Sequence, residues 1–192
     1  MVIGLGVIGD YIEMSRIMMI KLSKEEMLRE WKRRKGMLPV TTSTMTVAME
    51  NSQSLDEQLM SEIDDWYSGV LMTEHPMMLP QRDLKGEAKV TDNGDGTVDV
   101  ELPAACVRPI AVRLSGWKRA ARILGDSDGA MARMQTSRYV RGGSCDPIAV
   151  VRGRRLTLYS KVGEGELSEL TCIAAPADGS YEMERGLLFS II

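Results

Sequence analysis

The sequence is short of the residues from which most enzymes assemble a site. Its 192 residues include one histidine, His75, and three cysteines, Cys106, Cys145 and Cys172, far apart and without a C-x-x-C pair. That stock argues against metal centres, disulfide frameworks and histidine-based triads, and no pair of groups suited to acid/base work stands out. Aromatics make up only 5%, with Phe189 the single phenylalanine. The interior must therefore be filled by aliphatic side chains and by a share of the 15 methionines, whose flexible thioethers pack adaptably. No apolar run reaches the roughly 20 residues that span a bilayer. Residues 1–20 come nearest, but Asp10, Glu13 and Arg16 interrupt them and no Lys or Arg precedes them, so neither an export signal nor a membrane span is expected. The thiols accordingly read as reduced and intracellular. What is present is ordinary: 44% hydrophobic and 27% charged residues, in a chain long enough for one sizeable core with helical appendages and too short for two full domains.

Net charge is only −3, yet it is unevenly spread. Residues 50–101 carry 13 acidic and 3 basic side chains, a balance of −10, whereas residues 105–163 carry 12 basic and 3 acidic, a balance of +9. Two readings follow: solvated faces that happen to differ, or complementary surfaces on neighbouring copies, whose heterologous contact closes a ring when its rotation closes. On the second, Asp56, Glu57, Asp64 and Asp65 are the acidic interface candidates, and Arg108, Arg113, Arg119 and Arg141 the basic ones. A nucleic-acid footprint is the other use of an arginine block. An overall pI of 5.4 and only three aromatics in the block, Trp117, Tyr139 and Tyr159, argue against dedicated DNA binding.

Residues 22–35 open with Ser23 and Glu26, the S-x-x-E capping box, and close with Lys32, Arg33, Arg34 and Lys35 before Gly36. This predicts a helix with its positive charge at the negative end of the dipole. Leu22, Met27, Leu28 and Trp31 give it a partial apolar stripe. Residues 40–54 show no period and read as a linker or exposed arm. Beyond Ser54, Leu55, Leu59, Ile63, Trp66, Val70 and Leu71 recur at helical spacing, predicting a second helix over 54–74 that Pro76 ends. After Pro80 the pattern alternates: 88–91 and 97–102 flank the turn Asp92-Asn93-Gly94-Asp95-Gly96, and further strands are expected at 107–114, 137–140, 148–151, 155–160 and 167–174. Residues 118–124 fit a short strand or a single helical turn, and 181–192 a short terminal helix. The fold class is therefore α+β: N-terminal helices, then an antiparallel β-domain, sheet or barrel-like, closed by a short C-terminal helix. Residues 1–53 form the N-terminal arm and 54–192 the helix plus β-domain.

Gly4-x-Gly6-x-x-Gly9 matches the dinucleotide fingerprint in letters only, since the strand before it and the helix after it are lacking; a flexible or packed N-terminal segment is expected. Asp92, Asn93, Asp95 and Asp99 look like a calcium loop, but glycines stand where oxygen ligands are required, so a hairpin turn is expected. His75, next to Pro76, is placed as a helix-end cap, and Cys145, in the Gly-rich turn from Arg141 to Pro147, as a buried or inert surface thiol. No catalytic, cofactor-binding or metal-binding residue is assigned.

The order of the pieces carries more. An acidic helix ends in Glu74-His75-Pro76, a hairpin leads into Val100-Glu101-Leu102-Pro103-Ala104-Ala105-Cys106-Val107-Arg108, and a D-P-x-A-V-x-x-G-x-x-L-x-L-Y stretch runs from Asp146 to Tyr159. This order resembles the head-to-tail adaptor, or tail tubular, proteins of short-tailed bacteriophages. The likeness covers residues 54–192; it departs at Met77 and Met78, where many members carry aromatics, and in the short segment 181–192 that stands for the family's closing helix. It implies a non-enzymatic virion protein, present in the host cytoplasm during assembly, that forms a ring at the phage neck between portal and tail. Such rings are usually dodecameric, with DNA passing through the lumen without sequence-specific binding. Portal and tail or neck proteins are then its partners, with no membrane and no cofactor. The apolar end, with Leu187, Leu188 and Phe189, either packs on the chain's own β-domain or inserts into a groove of such a partner. The alternative is a small bacterial β-domain protein that binds a partner or ligand.

Overall fold

The computed structural model describes residues 18–37, 49–125 and 128–191, and over these the chain is mixed α+β. The helix announced by Ser23 runs Lys24–Arg34 (α1): the Ser23 hydroxyl accepts from the Glu26 amide, and the Glu26 carboxylate takes the Ser23 N–H at 2.8 Å, closing the capping box. A strand too short to show in the periodicity, Met19–Leu22 (β1), precedes it. The second helix runs Met49–Thr73 (α2), so the end of the expected linker is helical and the proposed boundary at residue 53 falls inside the helix. Its buried face is Leu59, Ile63, Tyr67, Val70 and Leu71, whereas Leu55, expected on that face, is 45% exposed. Tyr67 joins the core because its hydroxyl has partners there, donating to the Glu182 carbonyl at 2.9 Å and accepting from the Glu182 amide at 3.0 Å. Just before Pro76, His75 acts as the expected cap, its Nδ1 accepting from the Met77 amide at the head of a single 3-10 turn, Pro76–Met78.

Eight strands follow: Gln81–Asp83 (β2), Lys89–Asp92 (β3), Thr97–Glu101 (β4), Cys106–Leu114 (β5), Arg122–Leu124 (β6), Ile148–Arg152 (β7), Arg155–Tyr159 (β8) and Leu167–Ala174 (β9). A short helix, Gly129–Met134 (α3), sits between β6 and β7. The terminal segment expected as one helix is instead a strand, Tyr181–Glu184 (β10), and a 3-10 helix, Arg185–Ser190. The strands form three sheets: β1-β10, β2-β9-β5, and β3-β4-β8-β7-β6. Every pairing is antiparallel except β6 with β7, which run parallel because a long connection carries the chain back before β7 begins. Residues 137–140, expected as a strand, are a turn after α3.

The two larger sheets enclose one core. Val98, Val100, Leu156 and Leu158 point inward from β4 and β8 against Val112, Leu114, Leu170 and Cys172 from β5 and β9. The sheets also meet along one side, where the Ala121 amide just before β6 donates to the Val112 carbonyl of β5 at 2.8 Å, which gives a barrel-like outline. A second core lies on the other side of the three-stranded sheet, where Met27, Trp31, Ile63 and Tyr67 of the helices pack with Ile173, Tyr181 and Met183.

Two outcomes check this arrangement. Leu156→Ala, at a fully buried position, is expected to lower unfolding free energy by about 2–5 kcal/mol in a urea titration. The second concerns α1, where the Glu30 carboxylate accepts from Arg33 Nε at 2.8 Å and Arg34 Nε at 2.7 Å. These bonds, that of Arg33 foremost, hold its carboxyl at about 2 against an ordinary 4.5. A depressed folded value stabilises above the unfolded one and is lost as pH falls, so Glu30→Gln is expected to destabilise at neutral pH by about 1 kcal/mol or less. Its stability curve should merge with that of the parent as pH falls from 4.5 towards 2.

Candidate interaction surfaces

The four arginines singled out in the sequence fall in three separate places. Arg108, on β5, donates from Nη2 to the Glu74 carbonyl at 2.6 Å and so closes the C-terminal end of α2; its Nε is buried and unpaired among the described residues. Arg113, exposed at the far end of β5, donates to the Trp117 carbonyl at 3.2 Å, and Arg119 pairs with Asp146. Both belong to the stretch 113–122, which also exposes Lys118 and Arg122. Arg141 lies beyond α3, over the β3–β4 turn, with its Nη1 3.7 Å from where a side chain on Gly96 would begin.

The acidic candidates divide in two. Asp56 pairs with Lys32 of α1 at 2.5 Å, and Asp64 accepts from the Tyr181 hydroxyl at 2.6 Å. Glu57 and Asp65 stand exposed on α2 and form no ion pair among the described residues. Part of the acidic block is thus neutralised inside its own chain, because the cationic last turn of α1 lies against α2 and places Lys32 and Lys35 beside Asp56 and Glu62. The C-terminal candidates also separate. Leu187 and Leu188 are buried with Ile191 in the helical core rather than on the β-core, while Phe189 is 69% exposed beneath the Arg34 guanidinium at 4.7 Å.

The feature that sequence reasoning missed is a polar trough on the outer face of the five-stranded sheet. Strand register sets Lys89, Glu101, Arg155 and Arg152 in one row across β3, β4, β8 and β7, with Thr91, Asp99 and Thr157 in the next. Their inward neighbours fill the core, so these side chains must point outward. They line an open cavity of about 780 Å³ that continues into one of about 240 Å³ under Arg141. Asp99 accepts from the Thr157 hydroxyl at 2.7 Å and has Arg155 at 3.9 Å.

A lobe made of α3 and residues 135–141 forms one wall of this trough. Its clasp is Gln135, buried among the sheet residues: the amide donates to the Met131 carbonyl at 3.1 Å and accepts from the Gly142 amide at 2.9 Å. A side chain at Gly142 would meet the Asp146 carbonyl at 2.5 Å, so only glycine lets the chain turn back so closely. Arg138 reaches the Asp95 carbonyl at 3.4 Å, and next to it Tyr139 is 97% exposed.

The remaining motifs find simple places. The segment Asp92–Gly96 is a hairpin turn: Asp92 accepts from the Gly94 amide at 3.0 Å, Asp95 from the Thr97 amide at 2.9 Å, and Gly94 and Gly96 take positive φ of 74° and 85°. Cys145 is exposed. Cys106 and Cys172, distant in sequence, meet in the inter-sheet core, where their hydrogen bond and burial hold the Cys172 thiol well above its ordinary value. The Gly4-x-Gly6-x-x-Gly9 motif lies outside the described residues. Among the described residues no three His, Cys, Asp or Glu side chains are grouped to hold a metal, and no helix is long and apolar enough to cross a membrane.

Deleting residues 187–192 is expected to broaden and lower the thermal transition of the isolated chain, since it removes Leu187, Leu188 and Ile191 from the helical core. Phe189→Ala should stay within about 0.5 kcal/mol of the parent, and a truncated chain that melts like the intact one would contradict the packing described. Set against protein-family models and against curated proteins, the chain matches none.

Proposed function

We propose that the chain is a non-enzymatic adaptor subunit of a short-tailed phage particle, forming a head-to-tail ring between portal and tail through which DNA passes. The observation that carries this reading is the order of its motifs, each of which lies on a distinct architectural joint. Glu74-His75-Pro76 is the break at the end of α2, residues 100–108 are the crossing from one sheet to the other, and residues 146–159 enter and make up the β7–β8 hairpin. Exposed groups of opposite sign on different elements support a heterologous contact: Glu57 and Asp65 on α2, and Arg113, Lys118 and Arg122 around the β5–β6 connection. The subunit assembles in the host cytoplasm and ends in the virion neck, with portal and tail proteins as its partners.

The isolated chain is expected to be a monomer or weak oligomer that closes into a ring when its portal is supplied, because many weak contacts on one template act together. Mass photometry and negative-stain imaging of the mixture read this directly. A stable monomer that never joins the portal at high concentration would sink the reading. Assembly should also weaken as ionic strength rises from about 0.05 to about 0.5 M, where the screening length falls to about 4 Å. Charge reversal at Glu57 and Asp65 should have the same effect as added salt. Assembly indifferent to both would leave the contact apolar and the charge separation incidental.

A further inference from the structure

We infer that the trough on the outer face of the five-stranded sheet, with the Tyr139-bearing lobe as its rim, is a sequence-independent binding surface for single-stranded nucleic acid. The cations come from three strands and a loop: Lys89, Arg152 and Arg155 from the sheet, and Arg138 and Arg141 from the rim. They outnumber the carboxylates of the trough, of which Asp99 and Asp95 are engaged by Thr157 and Thr97 while Glu101 stands exposed in the row between Lys89 and Arg155. Neutral donors, Thr91 and Asn93, stand between the cations. This is a surface for a chain of phosphates, with charge spaced along a groove whose larger part is lined by polar side chains.

The aromatic ring makes the assignment narrower. Trp117 and Tyr159, the other aromatics of the basic block, are buried in the fold, whereas Tyr139 is 97% exposed. Looseness of the loop does not explain this exposure, since Gln135 and Gly142 pin the lobe and the Ser160 hydroxyl donates to the Gly142 carbonyl. A ring held open to water on the lobe that also carries Arg138 and Arg141 is free to stack on an unpaired base, and Met131, Met134 and Val140 are exposed on the same lobe. The sparse aromatics and acidic pI that argued against DNA binding are averages over the chain, while the trough is local. This inference needs only the isolated chain and does not rest on the ring reading.

The test is fluorescence anisotropy of a labelled oligo(dT) of about 15 nucleotides, and of a duplex of the same length, titrated with the full chain between about 0.05 and 0.3 M salt. The expected result is binding of the single strand that weakens with salt. Arg152→Ala and Arg155→Ala should each weaken it and flatten the log–log salt slope by about 0.7. Tyr139→Ala should weaken the single strand by about 5-fold or more and leave the duplex unchanged. All three side chains are exposed, so the variants should melt like the parent; Arg29→Ala, exposed on α1, is the control that should change nothing. Absence of binding to oligo(dT), an equal loss with Arg29→Ala, or a Tyr139→Ala variant that binds like the parent would overturn the inference. Trough variants that alter self-association while anisotropy stays flat would also overturn it, by making the trough a protein contact. Portal docking is read separately, so either idea can fail alone.

Discussion

The fold depends on β9 being covered on both faces. Leu170, Cys172 and Ala174 point into the core between the sheets, while Ile173 points the other way into the helical core. A strand buried on both sides needs a layer on each. The five-stranded sheet is one layer and the amphipathic α2, with α1 beside it, is the other. Closing the helical layer then recruits the chain's late residues, since Tyr67 takes both backbone groups of Glu182 and Tyr181 reaches Asp64. β10 is thereby fixed under α2, and β1 completes it by pairing. Arg108 serves the same joint: it lies opposite Ile173 in the β5–β9 register and holds the last turn of α2 through the Glu74 carbonyl.

Where local chemistry decides structure, the sequence was legible. The Ser23–Glu26 box, the proline at the end of α2, the glycine-rich β3–β4 turn and the alternating pairs β3–β4 and β7–β8 all stand where their residues indicate. What could not be read was decided by distant partners. β1 and β2 are four and three residues long and exist because β10 and β9 lie beside them. Ser137–Val140 alternates like a strand but turns, because Gln135 draws Gly142 back across it. Leu55 has the spacing of the buried stripe and lies outside it, while Tyr67 enters because a hydroxyl partner awaits it.

Charge was legible as a total and not as a pattern. Counting along the chain treats the arginines of residues 105–163 as one patch, yet folding gives them different tasks. Arg108 caps a helix, Arg113 and Arg119 brace the β5–β6 connection, Arg154 donates to the Leu102 carbonyl at 2.9 Å, and Arg152 and Arg155 face solvent over the sheet. The acidic block divides likewise, since Asp56 and Glu62 are met by lysines of α1 and Asp92 by Lys161. Segment totals therefore overstate the field that a partner meets, and only the unpaired remainder on each surface bears on association.

Part of that remainder, Lys89 and Arg152, lines the trough beside a segment where the fold gives up local consistency. A residue in left-handed backbone without being glycine, Ser160 at φ 64°, lies against a glycine that cannot be replaced without a clash and a buried glutamine that holds a turn by its amide. All three fix a lobe whose most prominent side chain is a tyrosine with almost no protein contact. Stability alone favours the reverse, a looser backbone with the ring folded in, because an exposed aromatic forgoes its burial energy and left-handed backbone adds strain. Strain kept in place around an exposed group is the pattern expected where presentation to a ligand, rather than packing, shapes the local structure. Phe189 is also exposed but rests under Arg34 on the chain's own surface. Exposure by itself therefore does not separate the two aromatics; Phe189 has a partner in Arg34 of its own chain, whereas Tyr139, on a lobe whose Arg141 lines the trough, has none among the described residues.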